Sequence, residues 1–305
     1  MTVRAKRIAI TGASGFIGQP LRALLMSAGH TIVSVGRRHE GAPAPDVAWD
    51  IRTGAIDHRG LEGVDAVIHL AGENISERWT AEQKRKIRES RVKGTDLIAR
   101  TAAALRPRPG VLVSMSAIGI YGDRGDEILD ESSSLGRGFL ADTVRVWEAS
   151  ADPARDAGIR VLHPRAGIVL NHTSGALKRM LPFFSLGLGG RVSTGRQWMS
   201  WVARTDVVRA LQFLVEHDAP PSGPVNVTAP HPVRNEEFTR LLAVALHRPA
   251  LAIAPALAIR LMYGEMGIET VVAGQKVLPR VLTESGFAFT FPELAGALER
   301  ELSPS

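Results

Sequence analysis

The chain has 305 residues, 45% of them hydrophobic, no cysteine, and a formal net charge of +6. That length can bury a large core in one extended domain or two coupled ones, and the lack of cysteine excludes disulfides, thiolate metal sites and cysteine nucleophiles; no metal site is read in the sequence. The positive charge raises nucleic acid as a partner, but Lys84, Arg85, Lys86, Arg88, Arg91 and Lys93 are interleaved with Glu82, Glu89 and Asp96 on one helical stretch, which reads as a solvated face, so no nucleic acid partner is expected.

The apolar run Arg7–Ile10 reads as a strand and leads into Thr11-Gly12-Ala13-Ser14-Gly15-Phe16-Ile17-Gly18, with a helical stretch from Pro20 to Ser27 behind it. Strand, glycine loop and helix in that order predict a dinucleotide cradle. Gly12, Ser14, Gly15, Phe16, Ile17 and Gly18 would bring backbone and a helix N-terminus onto a pyrophosphate. The second strand, His30–Val35, ends in Gly36-Arg37-Arg38, where an NAD site usually carries Asp or Glu for the ribose 2′-hydroxyl. Arg37 and Arg38 favour the 2′-phosphate of NADP(H) instead. Asp50, after the strand Val47–Trp49, is placed to accept from the adenine amino group. Val64–Gly72 reads as a buried strand whose end, Leu70, Ala71 and Gly72, passes close to the adenosine half of the cofactor.

A long helix then opens on Thr80 and Gln83 in capping-box spacing. Ile87, Arg91, Gly94, Ile98, Ala102 and Leu105 face inward on it at helical spacing. Arg91 is the odd member of that stripe: it either reaches a cofactor phosphate or substrate, or snorkels at the helix edge. The central strand Gly110–Ser116 ends on Ser114 and Ser116 ahead of Tyr121, and strand C-termini are where ligands bind in such sheets. Further on come a strand at Arg160–His163, a break at Asn171–Gly175, the apolar segment Leu177–Leu188, a return strand at Val225–Thr228, and a helix-rich tail from His231.

This alternation predicts an α/β fold, a Rossmann-type doubly wound parallel sheet with a smaller helix-rich C-terminal lobe. Residues 1–170 and 193–229 are expected to form the NADP(H)-binding domain, and 171–192 with 230–305 a small substrate or lid domain. No signal peptide is read, and the stretch Leu251–Met262 is interrupted by Pro255 and Arg260 and too short for a bilayer. A cytoplasmic protein with no membrane partner is expected.

Thr11-Gly12-x-x-Gly15-Phe16-Ile17-Gly18, His69-Leu70-Ala71-Gly72 and Ser114-x-Ser116 before Tyr121-Gly122 together resemble the extended short-chain dehydrogenase/reductases. Gly72-Glu73-Asn74-Ile75, Arg78-Trp79-Thr80, Trp147-Glu148, Gly195-x-Gln197-Trp198-x-x-Trp201 and Gly274-Gln275-Lys276-Val277-Leu278-Pro279 are similar to an atypical epimerase/dehydratase-like branch of them, with its own small C-terminal domain. The wider family's proton relay is a tyrosine with a lysine four residues later, the lysine favouring the phenolate. Where the resemblance would place that pair, this chain has Phe139 and Thr143. Its only tyrosines, Tyr121 and Tyr263, are followed four residues on by Gly125 and Gly267. The family's helix asparagine is Arg91 here, and only Ser116 is retained.

The resemblance therefore assigns Ser116 to a substrate oxygen and leaves Tyr121 and Asp142 as the proton donors. Met199, where nucleotide-sugar epimerases tend to carry an arginine, argues against a diphosphate sugar. Two functions stay open. One is an NADP(H)-dependent oxidoreductase or isomerase acting on a small, partly apolar substrate; the other is a non-catalytic NADP(H)-dependent regulator or scaffold. A homodimer through the helices near 80–105 and 139–155 is a further implication.

Overall fold

Ile8, Ala9 and Ile10 leave no polar side to the first strand, and a strand apolar on both faces has to lie inside a sheet covered on both. The structure, a computed structural model describing residues 4–38, 41, 43–217 and 221–303, places it there. The main sheet has nine strands: β1 (Arg7–Thr11), β2 (Thr31–Gly36), β3 (Val47–Asp50), β4 (Ala55–Ile56), β5 (Ala66–His69), β6 (Val111–Ser114), β7 (Ser116–Ala117), β8 (Arg160–Ala166) and β9 (Gly223–Val227). Their order is β9-β8-β6-β5-β1-β2-β3-β4, with β7 paired to β8. All pairings are parallel except β3 with β4. The order reverses between β1 and β5, the topological switch point at which doubly wound sheets bind ligands.

Side chains of these strands alternate between two cores. Ile8, Ile10, Ile68, Val113 and Leu162 pack with Leu21, Leu25, Leu211 and Leu214 of helices α1 (Gly18–Ser27) and, further along the chain, Arg204–Glu216. Ala9, Val33, Val67, Leu112 and Val161 pack on the other face with Ile98, Ala99 and Ala102 of helix α2 (Ala81–Ala104). Thr80 caps α2 by accepting from the Gln83 N–H, but the Gln83 side chain donates to the Asn74 carbonyl, so only half of the capping box forms. The charged face of α2 is laced by Arg85 with Glu82 and Glu89, Lys93 with Glu89, and Arg100 with Asp96.

Helix α3 (Phe139–Ala149) and α4 (Asp152–Asp156) precede β8, and α5 (Gly175–Ser185), α6 (Arg204–Glu216), α7 (Asn235–Ala245) and α8 (Ala256–Tyr263) follow it. A third core joins Leu177, Phe184, Trp201, Phe238, Leu242, Leu294 and Leu298. The segment after α8 returns to the sheet-bearing part of the molecule: Met266 and Tyr263 pack with Trp79, Ile87 and Phe139. Among the described residues no helix is long and apolar enough to cross a membrane.

Candidate functional site

The β1–α1 loop sits at the switch point. Gly12 has φ +69°, a left-handed conformation that glycine adopts without strain, and a Cβ there would come 3.1 Å from Ala71 N. Gly18 packs so closely under the loop that a Cβ would lie 2.1 Å from the Gly12 carbonyl oxygen. Gly15 is different: it is exposed, and an added Cβ would meet only the Gly12 oxygen, at 3.1 Å. Tertiary packing does not demand glycine there, whereas a phosphate resting on the loop would. No side chain caps α1, and Ile17 is its N-cap, so its N-terminus is open to an anion. Ser14 is exposed at the rim and Phe16 half-buried, with the Arg204 guanidinium 5.6 Å from its ring centre.

Thr11 fastens this loop to the end of β5. Its Oγ1 accepts from Leu70 N (3.1 Å) and Ala71 N (3.2 Å) and lies 2.7 Å from His69 Nδ1. With both lone pairs taken, the threonine proton goes to Nδ1, which leaves His69 neutral with its proton on Nε2. Burial agrees, pushing the His69 pKa down to about 4, with the nearby Arg91 charge acting the same way. Leu70 and Ala71 thus run beside Gly12.

Arg91 is not at a helix edge. Its guanidinium lies 5.0 Å over the Trp147 ring and against Gly72, and Nη1 donates to the carbonyls of Glu73 and Ile87. Burial lowers its pKa to about 10, so it remains a cation near neutrality. Among the described residues it forms no ion pair within 4.0 Å with a carboxylate. A half-buried guanidinium without an ion-pair partner among the described residues, beside this loop, fits an anionic ligand.

At the end of β2, Arg37 and Arg38 are exposed and line an open cavity of about 870 Å³ with Asp50, Arg52, Asp57 and Arg59. Arg52 lies 3.7 Å from Asp50, and Arg59 lies 3.8 Å from Asp57. Arg37 and Arg38 have no such partner among the described residues. Asp50 accepts from Arg52 N, a bond that holds its carboxyl below the usual carboxylate range.

The end of β6 carries a buried network that the sequence reading largely missed. Ser116 Oγ donates to Glu148 Oε1 at 2.6 Å. Arg165 grips the same carboxylate in a fork, Nε to Oε1 and Nη2 to Oε2, both 2.8 Å. Its Nη1 donates to Tyr121 Oη at 2.9 Å, and that hydroxyl donates to Asn226 Oδ1 at 2.8 Å. Burial works to raise the Glu148 pKa, but the Arg165 fork outweighs it and holds the carboxyl below its ordinary value. Two signals were in the sequence: a glutamate on the otherwise apolar face of α3, four residues after Val144, and an arginine inside the apolar strand running to Ala166.

The two expected proton donors, Tyr121 and Asp142, have different surroundings. Tyr121 is 0% exposed, and its hydroxyl is bonded on both sides; burial, outweighing Arg165, raises its pKa. A phenol so enclosed packs and fixes Arg165. Asp142 lies on the helix face opposite Ala141, Val144 and Trp147, with its side chain 59% exposed and paired to Arg145. It points away from the Ser116 network: at about 100° per residue the six residues from Asp142 to Glu148 leave their side chains about 120° apart around the helix. Ser114 ends β6 buried, its hydroxyl without a partner among the described residues.

Phe139 stands edge-on to Trp79 at 4.9 Å, under the Lys84 ammonium, and Thr143 is buried with its hydroxyl unpartnered among the described residues. The N-terminus of α3 is closed by Glu269, whose carboxylate accepts from Phe139 N (3.0 Å) and Leu140 N (2.9 Å). Met199, half-buried, accepts from the Asn235 side chain through its sulfur.

Known proteins resemble this chain along nearly its whole length. Residues 8–142 match the family described as "NAD dependent epimerase/dehydratase family", and residues 254–301 match a "Domain of unknown function (DUF1731)". The chain is 41% identical over 296 residues to epimerase family protein Mb2239 of Mycobacterium bovis, covering 95% of this chain and 96% of that one. It is 35% identical over 297 residues to epimerase family protein YfhF of Bacillus subtilis, covering 96% and 97%. A crystal structure of the human epimerase family protein SDR39U1 (isoform 2) with NADPH superposes with a TM-score of 0.88 at 32% identity, covering 96% of this chain and 98% of that one. With the glycine loop at the switch point, the uncompensated Arg91 beside it and homology along nearly its whole length, the chain belongs to the NAD dependent epimerase/dehydratase family of Rossmann-fold proteins.

Proposed function

We propose that the protein is an NADP(H)-dependent oxidoreductase or isomerase acting on a small substrate that is not a nucleotide diphosphate sugar. The observation that carries the cofactor choice is the Arg37–Arg38 step at the end of β2, without a carboxylate partner among the described residues, in a cavity where Arg52 and Arg59 already have carboxylates. Gly12, Ser14, Gly15, Phe16, Ile17 and Gly18 hold the pyrophosphate, Leu70, Ala71 and Gly72 flank the adenosine half with Asp50 on the adenine, and Ser114 lies toward the nicotinamide end. Arg91 supplies positive charge to the bound anion. NADPH bound to the related human protein supports this assignment. When bound, the nicotinamide supplies or accepts a hydride.

The Ser116–Glu148 pair takes the place of the absent tyrosine and lysine. Ser116 has one proton, and it is committed to Glu148, so its oxygen presents lone pairs and accepts the hydroxyl proton of an alcohol substrate while its own moves to Oε1. Arg165 holds Glu148 as a carboxylate ready to receive that proton, but by the same pairing makes it a weak base, so turnover is slow. The committed hydroxyl of Tyr121 and the outward Asp142 favour this relay over either of them; the same sparse proton inventory is what a regulator that binds NADP(H) without turnover would show. Incubation of the purified protein with NADP+ and a panel of alcohols, followed by the absorbance gain of the reduced nicotinamide, tests the reading. Oxidation that disappears in Ser116→Ala supports it; NADPH binding with no turnover on any member of the panel replaces the enzyme with the regulator.

A further inference from the structure

A second cavity lies far along the chain from the cradle, between α7 and the strand Ala252–Ala254. It encloses about 780 Å³, within the range of small-molecule sites. Arg191, Arg240, Arg248 and His247 line it together with Val244, Leu251 and Ile253. Arg191 donates to the Thr194 carbonyl, and Arg248 donates to those of Ser185 and His247. Main-chain carbonyls orient these guanidiniums without neutralising them. Arg240 has neither a hydrogen bond nor an ion pair among the described residues, and Glu236, the single carboxylate in the lining, is not within ion-pair distance of any arginine.

The apolar half is equally uncovered: Leu251 is 89% exposed, and Val244 and Ile253 are each more than half exposed. Thr239 adds a third observation. It lines the cavity, 96% of the residue is hidden, and its hydroxyl has no partner among the described residues. Threonine in a helix populates two χ1 rotamers, and exchange between them turns the hydroxyl outward in place of the methyl. Three guanidiniums and exposed aliphatic side chains in one groove suit one chemistry, a negative head on an apolar body.

We propose that this groove binds a soluble amphipathic organic anion, a phosphate or carboxylate carried on an alkyl or similar apolar body, at a site separate from the cofactor cradle. Calorimetric titration of the full-length protein with octyl phosphate, octanol and inorganic phosphate tests it. Octyl phosphate is expected to saturate one site, with octanol and phosphate each weaker by about tenfold or more, since one charge-assisted contact is worth that much. Arg240→Glu, an exposed change that leaves the core intact, should weaken octyl phosphate by about tenfold or more and leave octanol unchanged. Saturating NADPH should have no effect. Equal affinity for octanol, indifference to Arg240→Glu, or competition by NADPH would each overturn the proposal, as would binding to anionic lipid vesicles without binding of the monomeric phosphate.

Discussion

Gly15 and Gly18 stand three residues apart in one loop, yet they are glycines for different reasons, and substitution separates them. A side chain at position 18 strikes the Gly12 carbonyl at 2.1 Å, whereas one at position 15 meets only the same oxygen, at 3.1 Å, and has no φ strain to overcome. Gly15→Val should therefore keep its thermal unfolding midpoint within a few degrees while losing NADPH binding in a fluorescence titration, and a variant that still bound NADPH normally would show that the loop is not the cradle. Arg37→Ala/Arg38→Ala should erase a preference for NADPH over NADH of about tenfold or more, because each retained contact to the 2′-phosphate contributes roughly 1.5–3 kcal/mol. Equal calorimetric affinities in the unaltered protein would remove the basis for that assignment. Glu148→Gln preserves shape and a bond to Ser116 but leaves Arg165 charged, buried and without its counter-ion. That loss should cost roughly 3–5 kcal/mol in urea unfolding, and with it any turnover; a variant as stable as the parent would mean that the Arg165 fork is not buried as described.

Helix α3 shows how much an element's role depends on its neighbours. Its sequence is a good amphipathic helix, and its first position follows Gly138, which offers no side-chain cap. The missing cap arrives from 130 residues away, where the Glu269 carboxylate closes Phe139 N and Leu140 N. A carboxylate there satisfies two unpaired donors and meets the positive end of the helix dipole. Glu269→Ala should cost on the order of 1–2 kcal/mol and loosen the segment from α8 to Val272 against α3, visible as faster amide exchange at Phe139 and Leu140; unchanged exchange there would refute the bridging role. Phe139 belongs to the same junction, wedged between Trp79 and Tyr263, so Phe139→Leu should leave turnover unchanged and lower stability modestly. Activity that fell with Phe139→Leu, in protein with normal NADPH affinity, would return that position to the chemistry.

On the scale of the whole molecule, two histidines are held neutral by burial, and this gives the fold a defined response to acid. His69 and His163 both have pKa values pushed down to about 4 from 6.5, desolvation being the main cause in each. Below about pH 6.5 the unfolded chain takes up protons that the native state refuses, so stability should fall as pH drops toward about 4 and level off below, by roughly 3 kcal/mol per histidine. Urea midpoints that matched at about pH 7 and about pH 4.5 would contradict the buried Thr11–His69 fastening. The sequence by itself determined the sheet and the glycine loop at its switch point, because strand, glycine loop and helix are local patterns whose meaning is carried by residues adjacent in the chain. Arg91 could be singled out in the same way, as a charge on an apolar stripe. What only tertiary structure decided is which polar groups meet. Tyr121 reads as an available phenol until Arg165 and Asn226, 44 and 105 residues away, occupy its hydroxyl; Glu148 reads as one more helix carboxylate until Ser116 and Arg165 converge on it. Hydrogen bonds over such separations are fixed by the strand order and the packing of α3 against it, and no local pattern in the chain encodes them.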